Sequence, residues 1–330
     1  LMVRARSGIV RPRDGMGGFF CRGEYERSGS GCKSNGPCGI WTVGRIHLPA
    51  WIGYTCTRTT FTDIDRTMEL TGKVIVVTGA GHGIGRALCR RFARENPRGI
   101  VVSDIDEDAA RQVAGECEGL AIGCDVRRET DMVRLVAETE QSLGPVDVFC
   151  SNAGIIFPAG LEAPDDQWRQ MMDVNFMAHL YAARAVLPGM VSRGQGYLLQ
   201  TSSAAGLLTE LSSAPYSVTK HAVVALAEWL SITYGDRGIK VSCICPQGVR
   251  TRMLESDHPV ARMLEPSAVD AEEVAEKAVE GLREERFLVL PHPEVADFVR
   301  RRASDHDRWL AGMRRMRRQV LGDNDGRDGD

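Results

Sequence analysis

From residue 73 onward, short continuous apolar runs alternate with stretches whose apolar residues recur every three or four positions. "KVIVVTG" (73–79) is apolar without alternation and ends in Gly, which predicts a strand buried on both faces. A helix is expected over 84–96, then a strand in "GIVVSD" (99–104), a helix over about 107–116 and a strand in "LAIGCD" (120–125). A helix over about 128–143 leads to "VDVFCSN" (146–152). A long helical pattern spans about 166–191, with Trp168, Met172, Phe176, Leu180 and Leu187 on its apolar side. "GYLLQTSS" (196–203) is the fifth strand, followed by a helix from 213 to 230 and a strand in "KVSCICP" (240–246). A helix over 270–285 and a strand in "RFLVLP" (286–291) complete the series. Seven strands alternating with helices, without an internal repeat, predict an α/β domain over 68–292. It is a single, doubly wound parallel sheet with helices on both faces.

The flanks read differently. Residues 1–67 are rich in Gly, Arg, Cys, Ser and Thr and lack a sustained apolar period. They are expected to be a disordered extension, or a segment outside the translated protein, with the working domain starting near Met68. Residues 293–321 predict an Arg-rich helix whose Trp309, Met313, Met316 and Val320 form a stripe. That stripe is expected to pack on its own domain or on a sister subunit, in preference to a membrane surface. Residues 322–330 read as a disordered tail.

Composition narrows the class. Of 330 residues, 43% are hydrophobic and 26% charged, the balance of a globular protein with a large core. A net charge of −3 gives no global attraction to nucleic acid or anionic membrane, and neither is expected as a partner. No apolar run reaches the ~18–20 residues of a membrane span, nor is there a signal-peptide core, so a cytoplasmic location is expected. Cys89, Cys117, Cys124, Cys150, Cys243 and Cys245 read as reduced, buried thiols. Cys21, Cys32, Cys38 and Cys56 lack the paired spacing of zinc knuckles, and no metal is expected.

Chemistry concentrates in two stretches. "TGAGHGIG" (78–85) lies between the first strand and the first helix, with Gly79, Gly83 and Gly85 spaced G-x-x-x-G-x-G. Glycines let the backbone turn sharply beside a ligand, and the helix N-terminus offers free N–H groups to a pyrophosphate. The second strand ends in Asp104, a carboxylate that can accept both ribose hydroxyls and would repel a 2′-phosphate. This favours NAD over NADP, and Asp106 is available to cap the following helix in its place. The other stretch is "YSVTK" (216–220). Ser217 and Lys220 spell S-x-x-K, the spacing of some serine acyl-transfer enzymes. Tyr216 and Lys220 spell Y-x-x-x-K, a phenol and an ammonium one helical turn apart.

Together these motifs resemble the short-chain dehydrogenase/reductase family over about residues 71–290. "TGAGHGIG" matches its cofactor loop, including Ile84. "CDV" (124–126) matches the segment whose Asp, here Asp125 with Val126 beside it, meets the adenine. "NAG" (Asn152, Ala153, Gly154) matches the motif that lines the cofactor. Asn175, in "DVNF", falls where the family has its helix Asn, and Ser203 lies 13 residues before Tyr216, a separation typical of the family. After the sixth strand, "PQGVRT" (246–251) keeps Pro246, Val249 and Thr251 but has Gln247 where the family usually has Gly. His82 and Ile105 stand where NADP-using members often carry basic residues. The resemblance implies a Rossmann-type fold, an NAD cofactor, and a homotetramer or homodimer packed through the helices after 166 and 215.

It also implies oxidation of a secondary alcohol to a ketone, or the reverse. Tyr216 would act as general base or acid, with Lys220 lowering its pKa, Ser203 holding the substrate oxygen and Asn175 maintaining a water path to Lys220. Leu207, Leu208 and Leu211 after Ser203, and Met253, Leu254, Met263 and Leu264 in an expected lid over 252–266, point to an apolar small-molecule substrate. The rival readings are an NADPH-linked carbonyl or ketoacyl reductase, a Ser217 hydrolase without the S-D-N and K-T-G partners of that class, and a non-catalytic nucleotide-binding module.

Overall fold

The computed structural model describes residues 68–322. The readings of residues 1–67 and 323–330, and of Cys21, Cys32, Cys38 and Cys56, lie outside the described residues.

The alternating pattern folds as strand and helix in turn. The order is β1 (Val74–Thr78), α1 (Gly83–Ala93), β2 (Gly99–Asp104), α2 (Glu107–Cys117), β3 (Leu120–Gly123), α3 (Glu129–Leu143) and β4 (Val148–Ser151). After α4 (Asp165–Met172) and α5 (Ala178–Arg193) come β5 (Gly196–Thr201), α6 (Ala205–Leu208), α7 (Ala214–Tyr234) and β6 (Ile239–Ile244). Then follow β7 (Val249–Arg250), α8 (Pro259–Leu264), β8 (Val269–Asp270), α9 (Ala271–Arg283), β9 (Leu288–Val289), α10 (Glu294–Ser304) and α11 (His306–Leu321).

Seven strands form one parallel sheet in the order β3-β2-β1-β4-β5-β6-β9. The order reverses direction between β1 and β4, so a crevice opens there beyond the strands' carboxyl ends. Alternate strand residues face opposite layers. Ile75, Val77, Ile100 and Val102 pack under α1, α2 and α9, while Val76, Val101, Phe149 and Leu198 pack under α3, α5 and α7. Burial on both faces is why these strands read as continuous apolar runs. Among the described residues, six cysteines are free and buried in these layers. A two-stranded parallel ribbon, β7–β8, was not legible in the sequence. It brackets α8 and the short 3₁₀ turn Glu265–Ser267 that follows it, the helical part of the expected lid. No described helix is long and apolar enough to cross a membrane.

Two helical readings are corrected. The stripe Trp168, Met172, Phe176 and Leu180 is only half-buried. The buried line runs instead through Met171, Asn175, Ala178, His179, Ala182, Ala183, Val186 and Met190, with Leu187 beside it. Small residues let the helix lie close to the sheet, and the larger apolar side chains flank that contact. Between α4 and α5 the chain makes a π-helical turn, Asp173–Met177, which carries Asn175. The Arg-rich tail forms two helices, α10 and α11, and its stripe does not join the core. Trp309, Met313 and Met316 form part of a cavity wall opposite α8, while Val320 stays outside that wall.

Candidate active site

Local signals set the geometry. Ser213 caps α7 by accepting from the Tyr216 N–H at 3.4 Å, and Pro215 suits the first turn. This places Tyr216 in the opening turn of α7 and Lys220 one turn further, both buried. At the other side of the crevice, Gly79 has φ +61°, and a Cβ there would fall 2.7 Å from Ala153 Cα. A Cβ on Gly85 would fall 2.2 Å from the Gly79 carbonyl oxygen, so the third glycine permits close packing of α1 rather than lining the crevice. Asn152 ties the two crossing segments together. Its Nδ2 donates to the carbonyls of Thr78 (3.0 Å) and Gly79 (3.2 Å), and its N–H donates to Thr78 Oγ1 at 3.0 Å. Thr78 was not singled out from sequence, although it belongs to the same motif.

The crevice is the mouth of a cavity of about 1680 Å³. Gly79, Gly83, Ile84, Asp104, Asp125, Val126, Asn152, Ala153 and Gly154 line it on the β1–β4 side. Ser203, Tyr216, Lys220, Pro246, Val249 and Thr251 line it on the β5–β6 side. Of the site residues read from sequence, Gly85 and Asn175 lie behind the wall. The volume and the glycine cradle fit a dinucleotide with room to spare.

Asp104 is oriented at the end of β2. Its Oδ2 accepts from Gly81 N–H at 2.9 Å and its Oδ1 from Asp106 N–H at 3.0 Å, while Asp106 itself caps α2 through Ala109 N–H at 3.1 Å. Asp125 is clamped by Arg127, whose Nη2 approaches Oδ2 at 2.7 Å; this hydrogen bond lowers the carboxyl's pKa. Gln247 does not require a glycine conformation: its φ is not positive, and its N–H donates to buried His292 Nδ1 at 3.1 Å.

The phenol and ammonium depart from expectation. Burial pushes Tyr216 up to about 12, against a hydrogen bond with Ser203 that pulls it down. Lys220 Nζ lies 5.7 Å from the Tyr216 ring centroid and donates to the Thr201 carbonyl at 3.1 Å. Burial pulls Lys220 itself down to about 8. Desolvation is the largest cause of both shifts, and the expected lowering of the phenol by the lysine is not seen. Asn175 also differs: its Oδ1 accepts from Ile155 N–H at 2.8 Å, and its Nδ2 donates to Ile155 O at 2.9 Å and Thr219 Oγ1 at 3.3 Å.

Ser217 is turned away from this chemistry. Its Oγ donates to Ser213 O at 3.0 Å and accepts from Glu210 N–H at 2.9 Å, and it is not part of the cavity wall. The S-x-x-K reading has no accessible nucleophile. Leu208, Leu211, Met253, Leu254, Met263 and Leu264 face the cavity, but Leu207 packs toward the core. Sequence reasoning missed the contribution of α10 and α11, which bring Phe298, Trp309 and three arginines to the same wall.

Comparison with known proteins gives a consistent answer. The family model for short chain dehydrogenase matches residues 73–260. The 1-deoxy-11-beta-hydroxypentalenate dehydrogenase of Streptomyces exfoliatus is 34% identical over 251 residues, covering 73% of this chain and 90% of that protein. Epidermal retinol dehydrogenase 2 of Mus musculus is 32% identical over 235 residues, covering 68% of this chain and 75% of that protein. A crystal structure of a short-chain dehydrogenase/reductase from Burkholderia phymatum in complex with NAD matches with a TM-score of 0.68 and 28% identity, covering 73% of this chain and 96% of that one. With the glycine loop, the crevice and the Ser203–Tyr216–Lys220 wall already in place, the chain belongs to the short-chain dehydrogenase/reductase family and is an oxidoreductase acting on CH–OH groups.

Proposed function

We propose that this protein interconverts a secondary alcohol and a ketone with NAD, on an apolar substrate, using Tyr216 as the proton-transfer group. The observation that carries the reading is the convergence of Ser203, Tyr216 and Lys220 on one buried wall of the cavity that the glycine loop and Asp104 also line. Gly79, Gly83, Ile84, Asp104, Asp125 and Asn152 would hold the dinucleotide, with Val249 and Thr251 at its nicotinamide end. When bound, the dinucleotide would supply the hydride acceptor for the carbinol carbon, or the hydride donor for the carbonyl carbon.

The chain's own groups handle the proton and the orientation. Ser203 Oγ holds the substrate oxygen beside the Tyr216 hydroxyl. In reduction the Tyr216 phenol gives its proton to the carbonyl oxygen, and in oxidation the same group, ionised to the phenolate, takes the alcohol proton. Lys220, with a pKa near 8, is still largely cationic at neutral pH and supplies positive charge within the buried wall. Asn175 acts through the backbone, as a positioning residue that fixes Ile155 at the edge of the cavity.

NAD is favoured over NADP because the Asp104 carboxylate is fixed in place by two backbone donors and would repel a 2′-phosphate. An apolar substrate is supported by Leu208, Leu211, Met253 and Met263 on the wall. A pairing of copies through α5 and α7 is supported by Trp229 and Ile232, which are 55% and 83% exposed. The test is a panel of secondary alcohols with NAD and with NADP, following the reduced nicotinamide. NAD-linked oxidation of apolar members supports the reading, and a strict requirement for NADP overturns its cofactor assignment.

A further inference from the structure

The cavity is larger than a dinucleotide and a small alcohol require, and its far end is built by the tail. There the walls are apolar, with Phe298, Trp309, Met313 and Met316 opposite the lid. Among them stand Arg301, Arg308 and Arg315, and Arg252 joins from the lid. None of these four guanidinium groups forms an ion pair among the described residues. Their neighbours behave differently. Arg300 pairs with Asp297, and Arg302 donates to the Leu207 carbonyl and so anchors the tail on the loop after Ser203. Of three consecutive arginines, Arg300 is held by a carboxylate and Arg302 by a backbone carbonyl, while Arg301 faces the cavity over the Phe298 ring, 5.9 Å from its centroid.

The acidic groups nearby do not supply that partner. Glu210 accepts from Ser212 N–H at 2.8 Å and Ser212 Oγ at 2.6 Å, which commits it to shaping its own loop. Asp305 caps α11 through Arg308 N–H at 2.9 Å. Across 294–321 there are eight arginines and four acids, whereas the whole chain carries a net charge of −3. Positive charge is therefore concentrated where the cavity ends.

Resting on the oxidoreductase reading above, we propose that the substrate is an apolar secondary alcohol, or the matching ketone, bearing a carboxylate remote from its reacting carbon. The reacting carbon lies at Tyr216 and the carboxylate lies among Arg301, Arg308 and Arg315. Guanidinium groups suit this role because their planar forks match a carboxylate in two parallel hydrogen bonds. These arginines select the substrate and hold it; they take no part in proton transfer.

The experiment uses the full chain and secondary alcohols of graded length, each supplied as an ω-carboxylate and as its methyl ester. Turnover with NAD and binding by calorimetry are measured for the native protein and for Arg308→Gln/Arg315→Gln. The acid is expected to be preferred over its ester by about tenfold or more, through KM rather than kcat. The preference should collapse in the double variant, with ester turnover unchanged. Esters turned over as well as acids would overturn the carboxylate site and leave the oxidoreductase reading standing. Acids that bind preferentially, lose that binding in the variant, and are oxidised with neither NAD nor NADP would support the site and overturn the reading of the activity. Equal binding of acid and ester overturns the proposal whatever the turnover. So does a variant that loses binding to anionic phospholipid vesicles while keeping the acid preference, since the arginines would then serve a membrane surface.

Discussion

Asn175 holds both backbone polar groups of Ile155: its Oδ1 accepts from the Ile155 N–H at 2.8 Å, and its Nδ2 donates to the Ile155 carbonyl at 2.9 Å. One side chain thus fixes the segment that leaves β4 and edges the cavity. Replacing Asn175 with Ala removes the partner of two poorly solvated backbone groups. The expected cost is about 1–3 kcal/mol of stability, read by urea unfolding, with turnover falling at least tenfold. Unchanged turnover would restrict Asn175 to a structural part.

Tyr216→Phe keeps the ring in its buried place and removes only the hydroxyl. The variant is expected to fold, to bind NAD and to lose about 10²- to 10⁴-fold in kcat. Isothermal binding of NAD beside steady-state turnover checks both halves. Activity near the native level would remove Tyr216 from the proton path.

Asp104→Asn keeps an acceptor for the Gly81 N–H and removes the negative charge at the end of β2. The ratio of kcat/KM for NAD over NADP is expected to fall at least tenfold. A ratio that stays constant would show that discrimination lies elsewhere in the cradle.

His179 is fully buried against Gln200, with Nδ1 and Oε1 2.6 Å apart. Burial pulls its pKa from 6.5 down to about 3, assisted by the positive charge of Lys220 and opposed by the Gln200 hydrogen bond. The unfolded chain therefore binds a proton that the folded one refuses between those values. Stability is intact above pH 6.5 and is lost as the pH falls toward 3, by up to ~1.4 kcal/mol per pH unit from this group. His179→Gln should flatten that part of the stability profile. An equally steep decline in the variant would assign the acid sensitivity to other groups.

Trp229 and Ile232 are exposed on α7, and Trp229 borders a groove shared with α5. Exchanging both for Glu is expected to lower the sedimentation coefficient to that of a single chain, with the fold retained. A native protein already sedimenting as one chain would end the pairing through this face.

The sheet and most of the cavity wall at its carboxyl edge were legible because their signals are local. A buried parallel strand such as Val74–Thr78 is apolar throughout, and the glycine loop, Asp104 and Y-x-x-x-K each occupy one short stretch. The tail was not legible as a cavity wall. The approach of Trp309 and Arg301 to the lid joins segments some 50 residues apart, and no local period records it. The phase of α4 and α5 was missed because large apolar residues suggested the buried face, whereas alanines allow the closer approach to the sheet. Leu207 was misplaced for a related reason: three leucines in one loop look alike until α6 turns the first of them inward. Tyr216 and Lys220 do lie one helical turn apart on one buried wall, but sequence spacing carries no record of their desolvation, which pushes the phenol up and the ammonium down.

The π-helical turn at Asp173–Met177 has a consequence for the chain's tolerance of insertions and deletions. It absorbs one extra residue between a half-helix that serves the cavity and a half-helix that serves the sheet, so that both keep their faces. Deleting a single residue here would restore regular winding with Met171 and the His179–alanine line still in phase. A further inserted residue would instead rotate α5 by ~100° about its axis relative to α4 and swing His179 off the sheet. The turn is thus a place where the chain tolerates the loss of a residue better than the gain of one.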